Sequence, residues 1–393
     1  MYRLISNGLE DNILKDIITV IYTVKQKKAV FLRVGSFSNV NKSILVELQT
    51  NFPDIEFEDV DIAPYINRKD LLNLFYCIKE YKYGILNRNN LKRFYIKTPY
   101  IFNKVKNIVH KKVNFNEYTF SFQTQSMFDF SCPDVPHFLY TDHTHLENLK
   151  YPGFDERNLA SRKWIECEKD IYKNATLNFT MSENIKKSII NDYECSTKRV
   201  LCVKSGSNLK EDRGLSSNLN NNYSNKNILF VGINWERKGG PVLIEAFKKI
   251  RHIHPDATLT IVGCSPKLQV ENCHIVGKIP LKDVEYYYKH ASIFVLPTNV
   301  EPFGLVFIEA MANRLPIIGT NIGAIPEFIQ ENVNGYLVEP NNSNHLFSSI
   351  LELIEHPERC KAFGECGYKI FKENYNWEKV GQKMCSKIKE VIE

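Results

Sequence analysis

The sequence predicts an α/β fold made of two doubly wound domains that face each other across a cleft. Short apolar runs alternate with amphipathic segments along most of the 393 residues, which is the pattern of parallel strands covered by helices on both faces. Near the middle, residues 208–225 are rich in Asn, Ser, Asp and Lys and cannot bury a core. This polar segment separates the two predicted domains, and the chain is long enough to form both.

The alternation of strands and helices is clearest in the second half of the chain. Apolar strands are expected at 227–232, 258–263, 274–276, 292–296, 316–319 and 336–338. Helices are expected at 241–253, 281–290, 304–313, 325–330 and 343–355. The carboxyl ends of parallel strands share one edge of the sheet, so the ligand site is expected along that edge.

The first half of the chain carries fewer signals. Strands are expected at 29–34, 119–123, 137–141 and 175–180. A helix capped by Ser182 is expected to run to Asp192. A helical pattern over residues 12–27 precedes the first strand and gives no functional clue.

The last predicted element is an amphipathic helix near the end of the chain. Its apolar positions recur at helical spacing at Trp377, Val380, Met384 and Ile388. The predicted organisation is an N-terminal domain at 1–207, a linker at 208–225, a second domain at 226–374 and a terminal helix at 375–393.

Composition and charge narrow the function classes. Apolar residues make up 43% and charged residues 24%, and the net charge of +6 is too small to indicate a nucleic-acid partner. The ten cysteines include no C-x-x-C pair, which fits a reducing compartment. No signal peptide is visible, and the apolar stretch Ile13 to Val24 contains charges and is too short to cross a bilayer. The sequence therefore predicts a cytoplasmic protein.

Basic residues cluster in one part of the first half. They could form a solvated helix face, or they could attract phosphates or anionic lipid headgroups at the inner membrane surface. Peripheral membrane contact is therefore retained as an alternative to a purely cytoplasmic location. The cluster comprises Arg88, Lys92, Arg93, Lys97, Lys104, Lys106, Lys111 and Lys112.

The loop after the strand at 227–232 has the features of a phosphate site. It runs through residues 232–240 and contains three glycines, which let the backbone approach an anion. Arg237 and Lys238 stand beside each other at the start of the next helix, where free N–H groups also favour negative charge.

A second loop, at residues 297–305, follows the strand at 292–296. The amides of Phe303, Gly304 and Leu305 open a helix and can point at a diphosphate. Glu301 precedes this helix, and Glu309 lies eight residues further on within an apolar run. A carboxylate in such surroundings is costly to bury without partners, and sugar or ribose hydroxyls are suitable donors. The alternatives are a helix-surface glutamate for Glu309 and a dipole partner for Glu301.

Two further loops reach the same edge of the predicted sheet. Gly323 precedes a helix and allows close approach to a donor sugar, while Glu327 either contributes there or complements the helix dipole. Gly277 and Ile279 lie in a loop whose backbone could line the sugar or the base of a nucleotide. The loop with Gly277 and Ile279 is the least specific of the four loops.

At these residues the chain resembles the family 4 retaining glycosyltransferases, which have the GT-B fold. The resemblance covers residues 227–340 and rests on four matching pieces of sequence. They are the V-G-…-R-K-G-G segment, the E-P-F-G-L-V-F-I-E segment, the G-x-x-P-E loop and the N-G-Y-L-V segment that leads into the strand at 336–338. The resemblance implies a hexosyltransferase-type enzyme that uses a nucleotide-sugar donor.

The resemblance also implies roles for the residues of this domain. Glu301 is expected to approach the transferred sugar and Glu309 the ribose. Arg237 and Lys238, together with the amides at the start of the helix at 304–313, are expected to hold the diphosphate. Ile233 stands where many members of the family carry arginine, and Arg237 is expected to supply that charge.

In the first half, the resemblance directs attention to two loops. The small-residue loop Gly35-Ser36-Phe37-Ser38 follows the first strand and is expected to face the diphosphate across the cleft, with Gly35 as its candidate binding residue. A histidine after the strand at 137–141 is expected to touch the donor sugar; His143 is the better match and His145 the reserve. The alternatives are a buried core histidine, or a metal site formed with Asp142, which no further ligand cluster completes.

The resemblance implies chemistry without a cofactor or a metal. The leaving diphosphate itself would accept the proton of the acceptor, which is an unidentified glycan, lipid or other glycoconjugate. The terminal helix is expected to cross back onto the first domain. Alternatives are a nucleotide-sugar epimerase with the GT-B fold, or a nucleotide-sugar-binding protein that lacks activity.

Overall fold

The structure, a computed structural model, describes residues 27–66, 69–81, 88–209 and 222–393. Almost all of the predicted helix at 12–27 and most of the predicted linker lie outside these residues. None of the helices in these four ranges combines the length and the apolar composition needed to cross a bilayer.

The N-terminal domain is a parallel sheet of six described strands with helices on its faces. In the sheet the strands run in the order β2-β1-β3-β4-β5-β6. The strands are β1 (Lys27–Arg33), β2 (Ile55–Asp61), β3 (Phe120–Thr124), β4 (His137–Thr141), β5 (Leu177–Thr180) and β6 (Val200–Cys202). The helices are α1 (Val40–Asn51), α2 (Leu71–Glu80), α3 (Arg88–Tyr95), α4 (Pro99–Lys112), α5 (Arg162–Asn174) and α6 (Glu183–Asn191).

The second domain repeats this architecture. Its described strands form a parallel sheet in the order β12-β11-β10-β7-β8-β9. The strands are β7 (Asn227–Val231), β8 (Thr258–Val262), β9 (Cys273–Gly277), β10 (Ile293–Leu296), β11 (Ile317–Thr320) and β12 (Gly335–Val338). The helices are α7 (Gly240–Ile253), α8 (Leu281–Lys289), α9 (Leu305–Ala312), α10 (Ser343–Glu355), α11 (Pro357–Asn374) and the terminal α12 (Trp377–Ile392).

The strand order locates the ligand site. In a doubly wound sheet, ligands bind where the chain reverses its direction of winding, outside the carboxyl ends of the strands. In the second domain this point lies between β7 and β10, which pair directly at Ile228 and Ile293. The two loops that leave these strands are the predicted phosphate loop and the Glu301 loop, so the fold itself brings them together.

The predicted α/β class and two-domain architecture are confirmed. The strand at His137–Thr141 and the helix at Ser343–Glu355 have the predicted ends, and the other predicted strands differ by one or two residues. The prediction of a helix at 325–330 is wrong, because only one turn of 3₁₀ helix forms, at Ile325–Glu327. Strand β2 was missed because it is an edge strand whose acidic side chains face solvent and interrupt the apolar pattern.

The terminal helix α12 crosses back onto the first domain. Lys383 Nζ donates a hydrogen bond to the backbone carbonyl of Cys202 at 2.6 Å, and Lys389 Nζ lies 5.3 Å from the centre of the Phe52 ring. Helix α12 also packs along α1, where Gly381 leaves no room for a Cβ beside Glu47. The two domains are therefore tied together by a helix that lies outside the cleft.

Candidate active site

A cleft of about 1010 Å³ lies between the carboxyl ends of the two sheets. The first domain lines it with residues 36–40, which follow β1, and with Asp142 and His143, which follow β4. The second domain lines it with the loops after β7 and β10 and with the start of α9. The predicted site residues Arg237, Lys238 and Glu301 all lie on this surface.

Lys238 and Glu301 form an ion pair at the centre of the cleft floor. Lys238 Nζ donates a hydrogen bond to Glu301 Oε2, and both side chains are buried. Burial lowers the pKa of Lys238, and the neighbouring Glu301 carboxylate opposes this shift. A buried ion pair whose partners have nothing else to bind contributes little stability. Its place at the junction of β7 and β10 instead suits it to bind an incoming anion and a sugar hydroxyl.

Two glycines shape the backbone around this pair. Gly239 and Gly304 begin helices α7 and α9 with positive φ angles of 74° and 106°. A Cβ on Gly239 would lie 1.8 Å from the backbone carbonyl oxygen of Pro297, so only glycine lets the two loops approach this closely. The first turn of α9 carries no acidic residue, and Phe303 and Leu305 flank Gly304 along the cleft. This helix end is therefore suited to bind a diphosphate.

Arg237 supports the Glu301 loop as well as facing the cleft. Its guanidinium Nη1 donates to the backbone carbonyl of Val300 at 2.5 Å. Its own carbonyl accepts hydrogen bonds from the Asn299 amide at 2.9 Å and the Thr298 hydroxyl at 3.2 Å. Ile233, which stands where many members of the resembled family carry arginine, is 77% exposed on the cleft wall.

Glu309 lies on the buried side of the cleft, within α9. Its carboxyl group is almost fully buried and accepts a hydrogen bond from the Tyr288 hydroxyl at 3.0 Å. Burial raises the pKa of Glu309 to about 7, although the Tyr288 hydrogen bond works against the shift. Tyr288 of α8 is thus the hydrogen-bond partner of this buried carboxylate. Nothing in the sequence indicates this partner.

The remaining predicted residues of this domain lie at the rim or behind the cleft wall. Ile279 lines the cleft, whereas Gly277 lies just before it at the end of β9, where its carbonyl accepts the Gly263 amide at 2.8 Å. Gly323 has φ of 53°, and a Cβ there would lie 2.7 Å from the backbone carbonyl oxygen of Glu301. Gly323 therefore allows close packing behind Glu301.

His143 faces the cleft from the first domain. Its Nδ1 atom is buried and has no hydrogen-bond partner within the described part of the chain. Burial lowers the pKa of His143 to about 4, although a hydrogen bond with Asn148 opposes the shift. The imidazole is therefore neutral near pH 7, and one of its nitrogens is buried without a partner among the described residues.

His145, the reserve candidate, serves the interior of the first domain. Its Nε2 accepts the Ala160 amide at 2.7 Å, and its Nδ1 lies 3.0 Å from Lys97 Nζ. Burial first, and then the positive charge of Lys97, lower the pKa of His145 to about 2. Over the described ranges, no three His, Cys, Asp or Glu side chains are grouped so that they could hold a metal ion.

The loop after β1, which the resemblance directs toward the diphosphate, contacts the cleft through residues 36–40. Gly35 itself stands behind the lining, where its amide donates to Asp61 Oδ1 at 3.0 Å. Phe37, Ser38 and Asn39 follow with positive φ angles of 44°, 51° and 65° and lead into α1. Strained backbone of this kind is often found at ligand sites. The pattern of side chains in the sequence does not predict where such backbone strain occurs.

Asp142 is a second lining residue whose role the sequence did not reveal. It stands at the carboxyl end of β4, where the sequence pattern indicates only a metal ligand as its alternative role. Burial first, and repulsion by Glu301, raise the pKa of Asp142 to about 6. Its position next to His143 was the available signal, because polar side chains at strand ends line such clefts.

Glu327 joins the two domains beside the cleft. Its two carboxylate oxygens accept the backbone amides of Glu183 at 2.9 Å and Asn184 at 2.8 Å, which are the first amides of α6. The Glu327 carboxylate therefore complements the dipole of helix α6, which belongs to the first domain, rather than the dipole of its own helical turn. Ser182 caps the same helix by accepting the Ile185 amide at 3.2 Å, as the sequence predicted.

Comparisons with known proteins agree with this geometry. Residues 215–370 match the family model described as Glycosyl transferases group 1. An uncharacterized glycosyltransferase of Methanocaldococcus jannaschii is 34% identical over 161 residues, which are 38% of this chain and 44% of that relative. The chain thus spans less than half the length of this relative.

Two solved structures share the fold over nearly the whole chain. Sucrose-phosphate synthase from Thermosynechococcus elongatus has a TM-score of 0.67 at 17% identity, covering 93% of this chain and 99% of that one. Anabaena HepE in complex with UDP and glucose has a TM-score of 0.61 at 16% identity, covering 92% and 99%. Residues 215–370 of this chain therefore resemble the Glycosyl transferases group 1 family, and the chain as a whole shares the GT-B fold.

Proposed function

We propose that this protein is a retaining glycosyltransferase that moves a hexose from a nucleoside-diphosphate sugar to a glycan, lipid or other glycoconjugate. The observation that carries the proposal is the buried contact between Lys238 and Glu301 at the junction of β7 and β10. One partner supplies a cation for a diphosphate and the other a carboxylate for a sugar hydroxyl. Both stand beside the uncapped start of α9.

The donor diphosphate would lie on the first turn of α9. The amides from Phe303 to Leu305 open α9 at the cleft, and Lys238 and Arg237 add positive charge there. Together they would stabilise the charge that grows on the diphosphate as it leaves.

The nucleoside would extend from the diphosphate toward Glu309. As a carboxylate, this residue can accept hydrogen bonds from two ribose hydroxyls, whose contact would offset its burial. Ile279 would lie beside the base. Anabaena HepE, bound to UDP and glucose, has the same fold, which supports a nucleoside diphosphate and a hexose as the donor parts.

The transfer would keep the configuration at the anomeric carbon of the sugar. The bond from this carbon to the diphosphate oxygen breaks, and a bond to the acceptor oxygen forms on the same face. The acceptor's proton passes to the leaving diphosphate, so no protein nucleophile is consumed. Glu301 and His143 would orient the sugar and support positive charge on its ring.

The remaining expectations belong to this proposal. The protein would act in the cytoplasm, without a metal or cofactor. Its acceptor would enter from the first domain, next to His143 and Asp142.

The proposal is tested by incubating the protein with a panel of nucleoside-diphosphate sugars. Thermal unfolding identifies the donor, because a bound donor raises the melting temperature in proportion to its occupancy. Nuclear magnetic resonance then follows the donor that binds, with and without candidate acceptors. Formation of a glycoside or slow release of sugar with retained configuration supports the proposal. Epimerised nucleotide sugar, or tight binding without any turnover, would refute it.

A further inference from the structure

Helix α2 turns its apolar side chains toward solvent. Leu71 is 80% exposed and Phe75 is 59% exposed. At ~100° per residue, these two side chains share one face of the helix with Lys79, and the buried residues Asn73 and Cys77 lie on the opposite face. The exposed apolar side chains of α2 are Leu71, Leu72, Phe75, Tyr76 and Ile78.

This arrangement is the reverse of that in an ordinary surface helix. An amphipathic helix on a globular domain packs its apolar stripe inward and leaves its polar side chains in water. A dense group of exposed large apolar residues on ten residues of chain marks an interaction surface. Because the inner face of α2 is formed by the small or polar Asn73 and Cys77, the outer stripe is not needed for the core.

The surroundings of this stripe are basic. Helices α3 and α4 pack against α2, and residues 88–112, which contain both, include eight Lys or Arg and no Asp or Glu. The Tyr76 ring stacks on Tyr100 of α4, with centres 5.0 Å apart and planes at 18°. Lys104 Nζ of α4 contacts the Asp70 carboxylate, which caps α2, at 2.5 Å.

The basic cluster divides into two groups. Lys97 is directed inward to His145, and Lys106 pairs with Asp129 at 2.5 Å. These two lysines are paired within the first domain. By contrast, Lys111 and Lys112 at the end of α4 are exposed. The solvated helix face expected from the sequence is therefore formed by only part of the basic cluster.

We propose that the outer face of α2, with Lys79 on that face and the exposed lysines at the end of the packed helix α4, docks on the surface of an anionic lipid bilayer. Exposed apolar side chains enter the boundary between headgroups and acyl chains, while lysines bind the anionic headgroups. A helix of ten residues is too short to cross the bilayer, so the contact is peripheral. The inference stands apart from the proposed function, since it does not depend on the cleft.

Docking would set the orientation of the candidate acceptor domain. The chain between α3 and α4 contributes Lys97, which contacts His145, two residues beyond the cleft residue His143. The helices that would touch the bilayer are therefore connected through one buried contact to the cleft wall.

The proposal is tested by co-sedimentation of the full-length protein with vesicles. The vesicles are an equimolar mixture of phosphatidylcholine and phosphatidylglycerol, compared with pure phosphatidylcholine. The variant is the double substitution Leu71→Ser with Phe75→Ser. The matched control is Tyr286→Ser with Ile253→Ser, which removes side chains that are 59% and 48% exposed on the second domain.

We expect the wild type and the control to bind the anionic vesicles, and the Leu71/Phe75 variant to bind roughly 100-fold more weakly, because two large apolar groups are lost. Lys111→Glu with Lys112→Glu should weaken binding at least roughly tenfold, and added salt should do the same. Equal binding of the Leu71/Phe75 variant would overturn the proposal. So would equal binding to pure phosphatidylcholine, or a dimer in lipid-free solution that the same substitutions abolish.

Thermal unfolding separates loss of the surface from loss of the fold. Both substituted pairs are exposed, so the melting temperatures of the two variants should agree with that of the wild type. If the Leu71/Phe75 variant unfolds earlier than the control, the single substitution Lys79→Glu replaces it. Lys79 is exposed on the same face of α2, and unchanged vesicle binding of that variant would count against the proposal.

Discussion

The Tyr151 hydroxyl of the first domain donates a hydrogen bond to the backbone carbonyl of Glu301 in the second domain, at 2.9 Å. The Tyr151 ring lies almost parallel to His143, with ring centres 6.2 Å apart and planes at 18°. One buried side chain therefore contacts the two candidate residues for sugar binding, which come from opposite sides of the cleft. Closure of the domains and the position of Glu301 are linked through this tyrosine.

Tyr151→Phe is expected to lower turnover by about tenfold while leaving the fold intact. The substitution keeps the ring against His143 but removes a hydrogen bond worth about 1 kcal/mol. Turnover and KM for the donor are measured together, with Tyr286→Phe on the exposed surface as the control. Since Tyr151 holds the closed cleft rather than the ground-state donor, kcat should change more than KM. A change in KM alone would contradict this role.

Glu301→Gln is expected to abolish transfer while keeping nucleoside diphosphate binding. The glutamine preserves the shape of the side chain but removes the charge that pairs with Lys238, so the lysine is freer to bind a diphosphate. We expect turnover to fall by at least about 100-fold, in line with the loss of one preorganised electrostatic group. Calorimetry with the diphosphate and a turnover assay measure the two effects.

The matched control for Glu301→Gln is Glu236→Gln, which removes an exposed carboxylate from the Lys238 loop. That variant should behave as the wild type. Full turnover in Glu301→Gln would remove Glu301 from the proposed mechanism.

Nucleoside diphosphate binding is expected to strengthen as the pH rises through about 7. Burial raises the pKa of Glu309 to about 7 in the unliganded protein, and only the carboxylate form can accept both ribose hydroxyls. Its ionised fraction rises roughly tenfold between about pH 6 and about pH 8, so Kd should fall by a similar factor. Calorimetry across this range measures the effect.

Two controls separate Glu309 from other titrating groups, including the phosphate itself. Glu309→Gln should flatten the part of the pH dependence that comes from this carboxyl. A nucleoside diphosphate without ribose hydroxyls should show the same flattening with the wild-type protein. An unchanged pH profile in both experiments would show that Glu309 does not bind the ribose.

Glu327→Ala is expected to loosen the contact between the domains. The first amides of α6 lose both acceptors, which costs about 1 kcal/mol, as for the removal of a helix cap. Chemical unfolding should register this loss, and small-angle scattering should show a larger radius of gyration for the unliganded protein. Glu339→Ala, which removes an exposed carboxylate from the same domain, serves as the control and should change neither measurement.

The sequence by itself determined the fold class and the donor half of the candidate site. Lys238, Glu301 and Glu309 could be recognised because they lie in loops whose neighbours along the chain already reveal a strand end and a helix start. Parallel strands bring such loops to one edge whatever the details of packing, so local pattern was sufficient there. The same reasoning identified Ser182 as a cap, since capping depends on four consecutive residues.

Only the tertiary structure decided the contacts between distant parts of the chain. Tyr151 and Glu301 are 150 positions apart, and nothing in either segment indicates the other. His143 and His145 look alike in sequence, yet one faces the cleft and the other is enclosed by Ala160 and Lys97. Which side chains are buried, and which side chains they contact, is decided by packing between helices and strands. The residue pattern within one helix or strand predicts burial only where one of its faces is wholly apolar or wholly polar.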